Sequence, residues 1–180
     1  MNKTRAKIIQ AAIAELESTG IQTTTKQIAE RAGFNELTLF RHFGSKQSLI
    51  VTAVSEALGP IANVSAQLSG DLHADLVVII GKYIQLTDTH PGLFTQLLST
   101  TDPVLIQTIV IPLQQRIVTL LKQLIDFHVL HSRLERIATE DLIRELMGPL
   151  LARAFLRHTI AIKPLDVDAY VSRFIRSHSV

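Results

Sequence analysis

Apolar residues Ile9, Ala12, Ile13 and Leu16 recur at the i, i+3, i+4, i+7 spacing of one helical stripe, which Gly20 closes. Thr23, Thr24 and Thr25 then supply hydroxyls suited to capping free backbone donors. Ile28, Ala29 and Ala32 form a short apolar face that Gly33 stops, so the second helix is about two turns long. Asn35 is placed to cap a third, equally short helix over 36–43, with Leu39 and Phe43 facing inward before Gly44-Ser45 ends it. A longer helix starts near Lys46, with Leu49, Ile50, Ala53, Val54 and Ala57 on one side, and runs to Gly59-Pro60.

Farther on, the pattern predicts helices near 72–89, 92–100, 103–131, 139–161 and 166–177, punctuated by Gly70-Asp71, His90-Pro91-Gly92, Asp102-Pro103 and Lys163-Pro164. Pro112 and Pro149 fall inside two of these, which should therefore kink or divide. Only Gln107 to Ile111 alternates with period two, and it sits between helical patterns. The expected fold class is all-α, an amino-terminal three-helix domain followed by a larger helical domain. The division is expected at residues 1–47 and 48–180.

Composition narrows the classes. At 180 residues and 47% apolar, the chain can bury a sizeable core. Its longest stretch free of Asp, Glu, Lys and Arg, Ala57 to Gly70, is broken by Gly59, Pro60, Asn63 and Ser65, so no transmembrane span is expected. Lys3, Arg5 and Lys7 are not followed by the apolar run of a secretory signal, and a cytoplasmic location is expected. The absence of cysteine removes thiolate catalysis and every Cys-based metal site. Residues 1–50 carry seven Lys and Arg against four Asp and Glu, while residues 51–180 carry eleven against twelve. The basic excess is amino-terminal, a hint of an anionic partner there.

Catalytic motifs are missing. The glycines never fall two apart, so no dinucleotide fingerprint or phosphate-cradling loop can form, and there is no Gly-x-Ser-x-Gly elbow. His128 and His131 share the stripe of Ile117, Leu121 and Leu124, a spacing that suits two metal ligands, but no third ligand is near. Packing in the core, or bonding to carbonyls at a helix end, is the plainer reading. Glu140 and Asp141 after Thr139 read as first-turn charge at a helix amino terminus. No metal and no cofactor is expected. The informative stretch is 20–49, where two short helices flank the turn Gly33-Phe34-Asn35, the geometry of a helix-turn-helix. Its second helix would present Glu36, Leu37, Thr38 and Arg41 to base edges. Lys46, at the start of the next helix, would offer a cation and free backbone donors to a phosphate, flanked by His42 and Thr25.

The run Thr4-Arg5, Ile8-Ile9-Gln10-Ala11-Ala12, Gly20, Thr24 through Gly33, Thr38 through Lys46 and Leu49 resembles the DNA-binding domain of the TetR (tetracycline repressor-like) family of transcriptional regulators. The resemblance implies that Thr25, Phe40, His42 and Lys46 face phosphates and that Lys26, Glu36, Leu37 and Thr38 read bases. Three positions depart from the family pattern. Leu37 stands where Gly is frequent, and must hold the backbone off the DNA unless it packs on a thymine methyl. Phe40 replaces the usual Tyr and lacks its phosphate-bonding hydroxyl. Glu36 replaces a basic or neutral residue and is unfavourable beside phosphates unless it accepts from a cytosine amino group.

Beyond residue 60 the resemblance lies in helical layout, length and the segment Gly148-Pro149-Leu150-Leu151. The helix from Thr139 carries two apolar rows: Leu142, Leu146 and Leu150, and Ile143, Met147, Leu151 and Phe155. Two such faces call for two partners, the chain's own domain and a second subunit, with Gly148 and Ala152 allowing close approach. The resemblance implies a homodimer joined by the last two helices, and Leu142, Leu146, Leu150, Tyr170 and Phe174 are the expected interface. Phe94, Leu121, Leu124, Phe127, His128, Met147 and Leu151 are expected to line a pocket for a small lipophilic or aromatic effector. The expected function is a ligand-responsive repressor that binds a double-stranded, pseudopalindromic operator as a homodimer and is released by its effector, with no membrane partner. Two alternatives stay open: a helical interaction protein with a degenerate helix-turn-helix, and a small helical enzyme built on the histidine pair.

Overall fold

The computed structural model describes residues 3–62, 69–131, 134–157 and 160–179. In chain order the helices are α1 (Lys3–Thr19), a 3₁₀ turn (Gly20–Gln22), α2 (Thr25–Ala32), α3 (Glu36–Phe43), α4 (Lys46–Ala57), α5 (Gly59–Ala62), α6 (Leu72–Thr89), α7 (Pro91–Ser99) and α8 (Pro103–Leu105). They continue as α9 (Ile111–Leu130), α10 (Thr139–Leu142), α11 (Gly148–Leu156) and α12 (Val167–His178), with π turns at Ile106–Val110 and Ile143–Met147. Among the described residues the only β pairing is a single bridge, Leu134 with Ser179. The far end of the helix expected over 139–161 falls partly on residues 158 and 159, outside the described set; α11 itself ends at Leu156.

The contacts divide the chain into two compact units, residues 1–59 with 90–111 and residues 60–89 with 112–180. In the first unit α1 is the central helix, packed on α2, α4 and α7, while α3 lies on α2 and α4. Ile9, Leu16, Ile28, Leu39 and Leu49, inward positions that the periodicity predicts, are fully buried there, and so is Ile8. Gly92 is where α7 comes closest to α1: a Cβ at this position would stand 2.5 Å from the Glu17 carbonyl oxygen. The Gly92 N–H donates to the Glu17 carboxylate at 2.9 Å, and His90 Nδ1 lies 3.1 Å from the same group. In the second unit α6 packs chiefly on α12 and also on α11. Asp88, near the end of α6, binds both Arg153, at 2.9 Å, and Arg157 of the α11 end.

Both internal prolines are accommodated in the same way. The N–H of Ile111 bonds to the carbonyl of Ile106, and that of Gly148 to the carbonyl of Ile143, each five residues back. Pro112 and Pro149 follow at the next position, where a proline in a regular helix lacks the donor and crowds the carbonyl four residues earlier. The alternating run Gln107 to Ile111 is part of this π turn and its exit, not a strand. One expectation needs correcting: by length and composition, the helical run Pro103–Leu130 is apolar enough to cross a bilayer, a property that charge-free runs do not reveal. Arg116, Lys122 and Asp126 all lie on it.

Candidate nucleic-acid interface

The helix-turn-helix is built by local capping. Thr24 Oγ1 accepts from the Gln27 N–H while Gln27 Oε1 accepts from the Thr24 N–H at 2.8 Å, a reciprocal box that opens α2. Gly33 ends α2 at φ 75°, in the left-handed region where a side chain is strained, and its N–H reaches back to the α2 carbonyls. Asn35 Oδ1 then accepts from the Thr38 N–H at 2.9 Å and opens α3, and Ser45 does the same for α4 through the Ser48 N–H.

The nine residues expected at a nucleic-acid surface all lie on this motif, in different circumstances. Thr25 heads α2, and its hydroxyl donates to the Glu36 carboxylate at 2.5 Å, tying the starts of α2 and α3 together. Thr38 Oγ1 donates to Asn35 Oδ1 at 2.9 Å, so its hydroxyl serves the cap. Lys46 heads α4 with Nζ 3.4 Å from the Ile21 carbonyl. Lys26 and Arg41 are exposed and His42 is half-buried. Leu37 and Phe40 are exposed at 76% and 43%. Residues 37, 40 and 41 are spaced i, i+3, i+4 and so share one face of α3. That face carries two apolar side chains and a cation, while the carboxylate and hydroxyl beside it are engaged within the motif. Arg5, on α1, stacks its guanidinium 5.0 Å from the Phe43 ring centre.

The carboxy-terminal expectations fare differently. Leu121, Leu124 and His128 are core, while Phe127 and Leu151 are half-buried. Phe94 is buried in the first compact unit; the other six expected pocket residues lie in the second. A recess in the second unit is lined by Ile61, Ile79, Ile80, Tyr83, Arg116, Ile117, Leu120 and Met147. Met147 alone belongs to the expected set. The missed residues do show a signal, since Ile79, Ile80 and Tyr83 fall on one face of α6 and Arg116, Ile117 and Leu120 on one face of α9. His128 is buried, whereas His131 is exposed and bonds through Nδ1 to the Phe127 carbonyl at 2.7 Å, so the pair meets two separate environments.

The expected interface row is turned inward. Leu142, Leu146 and Leu150 are buried within the chain's own unit, Leu146 at 0% exposure, and Phe174 is buried on α12. Tyr170 is half-buried with its hydroxyl donating to the Leu146 carbonyl at 2.5 Å. The apolar side chains left in solvent are those of the second row and its continuation: Ile143, Phe155 and Leu156. Of the two apolar rows, the first is covered by the chain's own unit, while the second is buried at Met147, half-buried at Leu151 and exposed at Ile143 and Phe155.

Residues 8–53 match the family described as bacterial regulatory proteins, tetR family. The helix-turn-helix-type transcriptional regulator YvkB of Bacillus subtilis, itself uncharacterised, is 39% identical over 80 residues, 44% of this chain and 42% of that protein. The nucleoid occlusion factor SlmA of a Marinomonas species is 29% identical over 96 residues, 51% of this chain and 49% of that one. The chain thus aligns with about half the length of these curated relatives. A fatty acid degradation regulator, FadR from Bacillus halodurans, has the same fold, with a TM-score of 0.78 at 18% identity, over 98% of this chain and 94% of that chain. The capped helix-turn-helix and the family pattern laid over it lead to one conclusion: residues 8–53 carry the amino-terminal domain of the tetR family of bacterial regulatory proteins, and the chain as a whole shares the fold of its solved neighbours.

Proposed function

We propose that the protein is a ligand-responsive repressor that binds a pseudopalindromic DNA operator as a homodimer and releases it when a small molecule binds. The observation that carries this reading is the outer surface of the helix-turn-helix. Lys26 and Arg41 stand exposed, and the one acidic side chain on the outer part of α3, Glu36, is drawn onto Thr25. That bond fixes the exposed carboxylate beside the start of α2, and Lys26 and Arg41 remain to meet an approaching phosphate backbone. Lys46 and His42 take the phosphate side of this division, and the exposed face of α3 the base edges.

Two further observations support the rest. Exposed Ile143, Phe155 and Leu156 offer a face for a second copy, which a two-fold operator requires. The recess of the second unit is aliphatic, with Arg116 on its lining. It has about 10 Å³ of space for the centre of a water-sized sphere, room for about one water, so an effector must open it. Its walls suit an aliphatic molecule better than a sugar or nucleotide. Release follows if the effector binds the DNA-incompetent arrangement more tightly than the competent one.

The deciding experiment is retardation of duplexes selected from the source genome, measured over a series of salt concentrations. The reading expects a specific complex whose affinity falls steeply with salt, and a Lys46→Ala variant whose salt slope is smaller by about two for the dimer. Equal retention of every duplex contradicts it, and no retardation of any duplex favours the interaction-protein alternative.

A further inference from the structure

The polar residues at the start of α3 are occupied with one another, and this leaves the helix an unusual outward vocabulary. Glu36 accepts the Thr25 hydroxyl through one carboxylate oxygen, which holds the group towards α2, and Thr38 gives its one hydroxyl proton to Asn35, so that hydroxyl has no proton left to offer a base. What remains outward is Leu37, the most exposed large apolar side chain of the first compact unit, with Phe40 one turn on and Arg41 beside it. A leucine and a phenylalanine held in water on the second helix of a helix-turn-helix, which the DNA-binding reading places in a major groove, have one apolar target there, the 5-methyl group of thymine. Cytosine, adenine and guanine present only donors, acceptors and ring edges.

We infer that Leu37, supported by Phe40, determines operator specificity by covering thymine methyl groups, so that each half-site carries thymine where α3 enters the groove. The inference rests on the DNA-binding reading above and adds to it the base and the chemistry of recognition. Arg41 on the same face anchors this contact to the neighbouring phosphate or guanine edge and fixes which thymine Leu37 meets. A protein or lipid partner for the patch is disfavoured by its setting, two apolar side chains on a motif that also exposes the cations Lys26 and Arg41, within the residues that match the tetR family model.

Replacing thymine with deoxyuridine removes the methyl and leaves base pairing and the O4 acceptor intact, which isolates the contact. The full-length protein is first used to select duplexes from a random pool, and each thymine of the recovered site is then changed singly to deoxyuridine. One or two positions in each half-site should lose about fourfold in affinity per methyl, the value of one buried methyl-sized group. At those positions Leu37→Ala should bind thymine and deoxyuridine alike, with its melting temperature unchanged because the side chain is solvent-exposed. Tolerance of deoxyuridine at every position, or an undiminished loss in both Leu37→Ala and Phe40→Ala, overturns this inference and leaves the DNA-binding reading intact. Failure to recover any sequence from the pool overturns both.

Discussion

Glu15 sits buried on α1 with Arg31 Nε at 2.5 Å and the Thr19 hydroxyl at 3.0 Å. The hydrogen bond from Arg31 is the main influence on its carboxyl and, with Thr19, outweighs burial, which acts the other way; the pKa is held below the ordinary 4.5. A carboxylate depressed in the fold stabilises it above the ordinary value, and that stability is lost as pH falls from there through the folded value. Arg31→Met should return Glu15 to the ordinary range or above it, as followed by carboxyl-carbon NMR, and cost about 1–3 kcal/mol. An unchanged Glu15 titration would show that Arg31 does not hold the carboxylate. The tyrosines provide an alkaline counterpart. Burial raises Tyr170 to about 12 and pushes Tyr83 up as well. With no tryptophan in the chain, tyrosinate absorbance reports these two alone. Their raised pKa values stabilise the fold up to about pH 10, and that contribution declines as pH rises through the folded values. Absorbance should therefore stay flat near pH 10 in the native protein and rise there after denaturation; a native rise at pH 10 would contradict the burial. None of these pairings was legible in the sequence, because Glu15 with Arg31 and Thr25 with Glu36 join different helices across the turns.

Helix boundaries in the first sixty residues were legible because each is written locally: Thr24, Asn35 and Ser45 cap, and Gly33 and Gly44 stop. The prolines were legible only as trouble. Pro112 and Pro149 announce that a regular helix cannot continue, but whether the chain breaks, kinks or takes up an extra residue is settled by the packing on either side. Here it takes up an extra residue, and the carbonyl that each proline would crowd is carried into the wider turn. Pro112→Ala should accordingly shift stability by no more than about 1 kcal/mol. Gln115→Pro, on an exposed position of α9 without such a turn, should cost about 3 kcal/mol or more. Comparable losses in thermal unfolding for the two variants would deny the π turn this role. The two apolar rows from Thr139 were legible too, but not which faced inward, since both have helical period and the choice depends on what α6 and α12 offer.

At the scale of the whole molecule, Leu146 illustrates how that choice redirects an experiment. Its burial within one chain means that a charge there unfolds the second unit, so it cannot test assembly. Ile143→Glu with Phe155→Glu, both on exposed positions, should instead give a folded monomer by sedimentation, with an unshifted circular dichroism spectrum and weakened operator binding. A variant that stays dimeric moves the interface elsewhere. The grouping of residues 90–111 with 1–59 was beyond any local pattern, because the contact of Gly92 with Glu17 spans 75 residues. That contact also has a consequence in time. A ribosome delivers the chain from its amino end at about 5–20 residues per second. Once Gly59 has emerged, the 40 residues to Ser99 must follow before α7 can cover α1. For about 2–8 s the apolar flank of α1 that awaits Leu93, Phe94 and Leu97 has no cover. The nascent amino-terminal unit is thus most exposed to proteases and chaperones in that interval, although its first four helices are already available to fold.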